Sequence, residues 1–206
     1  MRLRQAIDVY RIIGINAGAA KRLGANKISG IFFGYVQQVS LDMIALTICI
    51  IFQWENPNKP YKQNSVSGIL TRLEKHKYTD VQAKNVERFG RKYGNTAECT
   101  NPTHFLRDTV DAFKRQHDAS LERLRKYRNT HVAHSQFGAR IKSLPSIEEF
   151  EAIFDFAVDF YKLISDGILN IGPTGFPPGA GVGLVRTFKN LGLADALFDF
   201  PLKRRR

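Results

Sequence analysis

Cysteine is scarce in this chain of 206 residues, which contains only Cys49 and Cys99. Two thiols are too few for a disulfide scaffold, and they lack the close spacing of ligands in a zinc site. Such usage is typical of a reducing compartment. We therefore expect two free thiols and a cytoplasmic location.

Acidic residues are few in relation to basic ones. The chain has 19 Asp and Glu against 31 Lys and Arg, which gives a formal net charge of +12. A positive field of this size favours a polyanionic partner, with nucleic acid first and an anionic membrane surface second. Charge alone can also serve solubility, so it does not define a chemistry.

Several common catalytic motifs are missing. The sequence has no Gly-x-Ser-x-Gly nucleophile elbow and no His-Glu-x-x-His zinc helix. Residues 179–183 (GAGVG) resemble half of a dinucleotide-binding loop, but a predicted helix and prolines precede them instead of a strand. Residues 14–21 lack the spacing of a phosphate-binding loop. We therefore predict no cofactor and no metal.

One long uncharged run raises the question of a membrane. Residues 31–54 are long enough to span a bilayer, but Gln37, Gln38, Ser40 and Asp42 lie near the middle. An acid at that depth costs about 2.5–3.5 kcal/mol on insertion scales. We therefore predict a buried helix of a soluble protein, with no membrane partner.

The apolar residues recur at spacings of three and four, and no alternating strand pattern appears. The pattern predicts an all-α antiparallel bundle of four to six helices, with a break near residues 117–120 left open. The first five predicted helices cover residues 1–23, 29–54, 65–76, 80–93 and 103–134. Ser65 and Asp80 are the predicted N-caps of the third and fourth helices. Gly94 and Asn95 should end the fourth helix, and Gly138 lies just beyond the fifth.

The last long helix has the clearest start. Ser146 and Glu149 form a predicted capping box after Pro145, and a wide apolar and aromatic face follows, which should lie deep in the bundle. We predict an all-α domain over residues 1–170. Residues 171–206 should form a Gly/Pro-rich linker, a short helix and a basic tail.

Residues 121–135 (LERLRKYRNTHVAHS) concentrate the candidate chemistry. Four cations, Arg123, Arg125, Lys126 and Arg128, accompany one acid, and His131 and His134 follow. Arginine forks suit phosphate oxygens, and histidine exchanges protons near neutral pH. Together they could cleave a phosphodiester without a metal. A solvated cationic face and a buried structural His131 are the simpler alternatives, and two histidines do not complete a metal site.

The spacing of Arg128 and His134 constrains this site. Six residues on an ideal α-helix correspond to about 9 Å of rise and about 120° of rotation. One straight helix therefore does not bring the two side chains together. Either the helix ends near His134, or two chains face each other and share a cleft.

Residues 127–135 (YRNTHVAHS) resemble the signature of the HEPN superfamily, in which Arg, often followed by a polar residue, precedes His after a short gap. The Ala-His-Ser ending and the preceding Tyr are similar to the abortive-infection AbiU-like branch. The resemblance is strongest over residues 28–168. It implies a helical bundle, commonly a homodimer, whose two motifs line one cleft.

The resemblance also implies a function and site residues. Many members are metal-independent endoribonucleases that act as toxins or phage-defence effectors and leave 2′,3′-cyclic phosphate ends. Arg128 would match the signature arginine, Asn129 its polar neighbour and His134 the signature histidine. The residues that would then contact RNA are Arg123, Arg125, Lys126 and His131. Arg125 and His131 have the same spacing as the signature pair, but they are the second choice for it because no polar residue follows Arg125.

Other members only bind RNA or nucleotides, so the alternative function is that of a non-catalytic bundle that binds RNA or nucleotides. A third hypothesis is a structural helical protein. The resemblance leaves room for an antitoxin or another defence-system protein as a partner. Members paired with nucleotidyltransferase antitoxins often have a Tyr target two residues after the histidine. Gln136 occupies that position here, so we do not expect regulation by adenylylation.

Overall fold

A computed structural model describes residues 2–15, 27–53, 65–133 and 144–169 of the chain. All regular secondary structure in these ranges is helical, and they contain no strand, which confirms the all-α fold class. The described ranges form seven α-helices, one more than the largest number expected. The long stretch predicted over residues 103–134 is divided at His117, which contributes to this count.

The α-helices are α1 (Arg2–Ile15), α2 (Lys27–Ile51), α3 (Val66–Leu73), α4 (Asp80–Lys92), α5 (Pro102–Gln116), α6 (Asp118–Tyr127) and α7 (Ile147–Lys162). Two π-helical segments continue them without interruption. The first π segment (Arg128–Ala133) follows α6, and the second π segment (Leu163–Ile168) follows α7.

Two of the three predicted N-caps are confirmed. The Ser65 hydroxyl accepts a hydrogen bond from the Gly68 amide at the start of α3, and Ser146 and Glu149 form the expected capping box of α7. The N-cap prediction for α4 is wrong by one residue. Thr79 caps this helix, and Asp80 lies in the first turn, where its carboxylate favours the positive end of the helix dipole.

The break between α5 and α6 answers the question that the sequence left open. His117 leaves the helical conformation at φ −106° and ψ 15°. Its ring packs against Phe113 with ring centroids 4.4 Å apart. Burial lowers the pKa of His117, and the nearby Glu149 carboxylate partly opposes this shift. The junction is therefore a packed corner of the fold.

The chain divides into two compact units. One comprises residues 1–44 and 176–206, and the other comprises residues 45–175. Helix α2 contributes residues to both. The boundary predicted at residue 170, the segments predicted beyond it and the predicted stop at Gly138 lie outside the described residues.

Aromatic rings form the centre of the unit that covers residues 45–175. Phe113 of α5 and Phe156 of α7 stack with centroids 3.8 Å apart, and Phe89 of α4 meets Phe156 edge-on at 5.4 Å. Gly90 lets α4 approach α5 closely, because a Cβ there would lie 2.1 Å from Cε1 of Phe105. The deep position predicted for the last helix is confirmed by its buried residues Phe150, Ile153, Phe156, Ala157 and Phe160.

The predicted burial of the long apolar helix applies to only one of its faces. Leu41, Ile44 and Ile48 of α2 are buried, whereas Phe32 and Tyr35 are 59% and 69% exposed. By length and composition alone, the portion Ile31–Ile51 could cross a membrane, and 33% of its most apolar window is buried inside the structure. Core helices of soluble proteins have the same property.

Candidate functional site

Helix α6 presents the basic part of the motif to solvent. Leu124 and Tyr127 form its buried side, with 0% and 2% exposure. Arg125 and Lys126, which lie between them, are exposed. Arg128 follows Tyr127 directly, at the point where the backbone changes from the α to the π pattern. The motif arginine is therefore anchored by a buried neighbour.

The Arg128 guanidinium is held by the next residue in the chain. Its Nε and Nη2 atoms both donate hydrogen bonds to Oδ1 of Asn129, at 3.0 and 2.7 Å. Two donors on one oxygen fix the plane of the guanidinium. The structure shows no other hydrogen-bond partner for this group among the described residues, and three of its five N–H donors can therefore bind an anion.

Cys49 of α2 lies within electrostatic reach of this segment. Burial raises the pKa of its thiol, the Arg128 and Arg125 guanidiniums oppose the rise, and the Glu122 carboxylate adds to it. A buried thiol with a raised pKa is protonated at neutral pH and behaves as a small apolar side chain. We therefore assign Cys49 to packing beside the motif.

His131 packs inward. Its ring stacks on Tyr127 with centroids 5.2 Å apart and an interplanar angle of 23°. The Nε2 atom is buried and has no hydrogen-bond partner among the described residues. This is the geometry of a structural histidine, one of the two roles left open by the sequence. Contact between His131 and RNA stays a prediction.

Arg123 is engaged within the fold. Its Nη2 atom donates to Oε1 of Glu149 at 2.6 Å and to Oγ of Ser120 at 3.0 Å. Glu149 also accepts from the Ser120 hydroxyl and, at 2.7 Å, from the Ser146 amide. The Ser120 bond is the main cause that lowers the pKa of Glu149. One carboxylate therefore joins α6 to the start of α7, and the sequence pattern revealed only its capping role.

Arg125 is held within the fold less strongly than Arg123. Its Nη2 atom lies 2.8 Å from Oε2 of Glu122, and the two side chains are 50% and 36% exposed. Exposed ion pairs of this kind contribute about 0–1 kcal/mol. Arg125 can therefore exchange this carboxylate for a phosphate at little cost, unlike Arg123.

The structure thus brings Arg125, Lys126, Arg128, Asn129 and His131 together on consecutive turns. His134 and Gln136 lie outside the described residues. Within the ranges that the structure describes, no three His, Cys, Asp or Glu side chains form a group that could hold a metal ion.

Comparison with protein families gives a match over most of the chain. The family model for AbiU2, a HEPN family, matches residues 2–179. Neither a curated protein nor a solved structure matches the chain. The matched region includes the whole motif and every described helix. The chain therefore belongs to the AbiU2 family of abortive-infection-associated HEPN domains.

Proposed function

We propose that this protein is a metal-independent endoribonuclease of HEPN type that acts as a toxin-like effector in phage defence. The observation that carries the proposal is the Arg128 guanidinium in the family motif. It is held in one plane by Asn129 and keeps donors for an anion. RNA is the anion that the motif and the net charge of +12 fit best.

In this proposal, His134 takes the proton of a ribose 2′-hydroxyl. The 2′-oxygen then attacks the neighbouring phosphorus, the bond from phosphorus to the 5′-oxygen breaks, and the leaving oxygen takes up a proton. The products are a 2′,3′-cyclic phosphate and a 5′-hydroxyl. Arg128 stabilises the negative charge that grows on the phosphate oxygens in the transition state, and Asn129 holds Arg128 in place.

The exposed cations of α6 supply binding. Arg125 and Lys126 lie next to the motif and contact the RNA backbone, which gives affinity without base specificity. Arg123 contributes only if it releases Glu149, since its guanidinium is already bound within the fold. His131 supports the segment through its stack on Tyr127.

The test uses the purified full chain, single-stranded RNA and excess chelator. We expect cleavage to continue under chelation and to leave cyclic phosphate ends. His134→Ala should lower the rate by about 10²–10⁴, which is the usual contribution of a general acid–base group, with little change in binding. His104→Ala is the matched control, because His104 is exposed on α5 and lies outside the motif.

Binding gives a second readout. The logarithm of affinity should fall with the logarithm of salt by about 0.7 for each phosphate neutralised on a single strand. Arg125→Ala and Lys126→Ala should each remove one such contact, whereas Arg88→Ala on α4 should not. Salt-dependent binding without cleavage would favour the non-catalytic alternative. Equal cleavage by wild type and His134→Ala would refute the assignment of the base.

A further inference from the structure

Helix α6 starts differently from four other helices of the same compact unit. Helices α3, α4, α5 and α7 each begin at a side chain that accepts a hydrogen bond from an amide of the first turn. At the start of α6, the side chain of His117 makes no such bond with any described residue. A helix start without a side-chain cap is less stable. The helix that leads into the motif therefore depends on contacts along its length.

The buried side of α6 is a single row of residues. Ser120, Leu124 and Tyr127 are buried and follow each other at spacings of four and three, so they share one face. Ser120 is the polar member of the row and is 2% exposed. Its hydroxyl donates a hydrogen bond to Oε1 of Glu149. A polar contact thus joins the first turn of α6 to α7.

Glu149 accepts hydrogen bonds from both helices, one helix on each carboxylate oxygen. From α6, Oε1 accepts the Ser120 hydroxyl and, at 2.6 Å, Nη2 of Arg123. From the start of α7, Oε2 accepts the Ser146 amide at 2.7 Å. The Ser120 bond is the main cause that lowers the pKa of Glu149, so this group is ionised at neutral pH. Bonds to a charged acceptor are stronger than neutral ones.

The α7 side of this contact is the firmer one. Phe150 and Ile153 follow Glu149 and are both 0% exposed, so the start of α7 is fixed in the core. The Arg123 side chain is directed into the fold, because its Nε atom is buried. The carboxylate of α7 therefore fixes the position of α6.

The position of α6 decides the position of Arg128. The helix continues without interruption into the first π segment, of which Arg128 is the first residue. Arg123 precedes Arg128 by five residues, which is about 7.5 Å of helical rise. A shift of α6 therefore moves the motif, and a misplacement of about 1 Å can lower a reaction rate by about 10².

We propose that Glu149 is a positioning residue for the motif. Its carboxylate holds α6 against the start of α7 and thereby sets the place of Arg128. Capping alone does not need a carboxylate, because glutamine also suits this position of a capping box, and Gln82 occupies it in α4. The proposal rests on the proposed function for its kinetic readout, whereas the contact between α6 and α7 is measured without RNA.

Glu149→Gln separates capping from positioning. Glutamine keeps one oxygen for the Ser146 amide, but its amide nitrogen is a donor and then faces the donors of Ser120 and Arg123. Without RNA, amide exchange across residues 124–132 should become about tenfold faster, as expected for the loss of a charged hydrogen bond. Exchange in residues 150–160 should stay as in wild type. In RNA cleavage, kcat should fall by about 10–10². KM should not rise, because Arg123 is left with a free charge.

Gln82→Glu is the matched control. It makes the reverse exchange at the same position of the other capping box and loses the bond to the Ile168 carbonyl, which lies outside α6. Exchange across residues 124–132 and cleavage should both stay as in wild type. Arg123→Ala is the second variant, and it leaves the cap of α7 intact. It should speed exchange as much as Glu149→Gln, and the double variant should add little, because both changes remove the same interaction. Circular dichroism checks that each variant is folded.

Unchanged exchange across residues 124–132 in Glu149→Gln would overturn the proposal. The same acceleration in Gln82→Glu would also overturn it, because the effect would then be a general loosening of the fold. So would faster exchange together with cleavage at the wild-type rate, since α6 would not set the place of Arg128. If wild type does not cleave RNA, faster exchange confined to α6 and the first π segment would support the role of Glu149 and count against the nuclease.

Discussion

The two π-helical segments have the same backbone pattern and opposite surroundings. Each has six residues and continues an α-helix, with the first at Arg128–Ala133 and the second at Leu163–Ile168. π-Helical turns are uncommon and often occur at functional sites. Only the first one carries the motif, so we compare how each segment satisfies its polar groups.

Side chains of α4 donate hydrogen bonds to the last carbonyls of the second π segment. Gln82 Nε2 donates to the carbonyl of Ile168 at 2.7 Å, and Asn85 Nδ2 donates to the carbonyl of Gly167 at 3.2 Å. These carbonyls lie at the end of a helix, where the regular backbone partners are missing. The apolar residues of this segment are buried. The carbonyls of Gly167 and Ile168 are therefore satisfied by the fold.

In the first π segment, polar groups lack partners among the described residues. The Arg128 guanidinium is held only by its neighbour Asn129 among the described residues, and the buried Nε2 atom of His131 has no partner there. An unsatisfied buried polar atom costs about 1–3 kcal/mol. The first segment thus differs from the second in the hydrogen-bond donors that Arg128 keeps for an anion, and not in its backbone geometry.

The largest effect on cleavage is expected when the hydrogen-bond donors of Arg128 are removed. Arg128→Ala should lower the cleavage rate by about 10²–10³, the usual loss when one donor to a developing oxyanion is removed. RNA binding should fall less. Arg128→Lys should recover binding better than rate, because lysine keeps the charge without the planar fork. Single-turnover cleavage and a binding titration measure the two effects.

The control for Arg128 lies in the second π segment. Asp166 is exposed there and accepts a hydrogen bond from Ser165. Asp166→Ala should leave cleavage unchanged. A comparable loss of rate in both variants would mean that the two segments do not differ in function.

A smaller loss is expected at Asn129, which we treat as a positioning residue. Asn129→Ala removes the acceptor for two guanidinium donors, worth about 1.5 kcal/mol for a charged hydrogen bond, and this corresponds to about a tenfold loss of kcat. KM should change little, because the charge of Arg128 remains. Asn129→Asp should restore the rate, since a carboxylate accepts both bonds. A raised KM at constant kcat would contradict this role.

The sequence predicted most of the helices and the motif, because these depend on local patterns. Ser146 and Glu149 are three residues apart, and the apolar spacing of α7 is regular. The π segments were not predicted, since side-chain spacing does not reveal a shift of the backbone hydrogen bonds. The side chains that support the second π segment are also distant in sequence. Gln82 reaches across 86 residues to Ile168, and no local pattern encodes such a contact.

Arg123 and the exposed face of α2 show the same limit for surfaces. A cation in a basic run looks solvated until its acid is known, and Glu149 is 26 residues away. A helix that is apolar on all sides is typical of a buried element. The burial of only one face of α2 depends on its neighbours in space, which composition does not provide.

The second π segment gives a stability prediction. Asn85→Ala should lower the free energy of unfolding by about 1–3 kcal/mol, because it leaves the Gly167 carbonyl without its side-chain donor. Gln82→Ala should cost more, since Gln82 also completes the capping box of α4. Urea denaturation measures both variants. Cleavage at a temperature where both variants are folded should equal that of wild type, and loss of activity would contradict a purely structural role.

The smallest effect is expected at His131, where the sign of the change in the free energy of unfolding is informative. His131→Phe keeps a ring on Tyr127 and removes the Nε2 atom that has no partner among the described residues. The variant should therefore be as stable as wild type or more stable by up to about 1 kcal/mol.

His76→Phe is the matched control. His76 also meets a tyrosine ring, Tyr78, at 4.8 Å, but its Nε2 atom lies 3.4 Å from Oε1 of Gln82. The control should lose stability, because it removes a hydrogen-bond partner. If His131→Phe unfolds more easily than wild type, Nε2 has a partner in the folded protein. If it is more stable but binds RNA more weakly, the unused nitrogen is a contact for RNA, and His131 belongs to the binding surface.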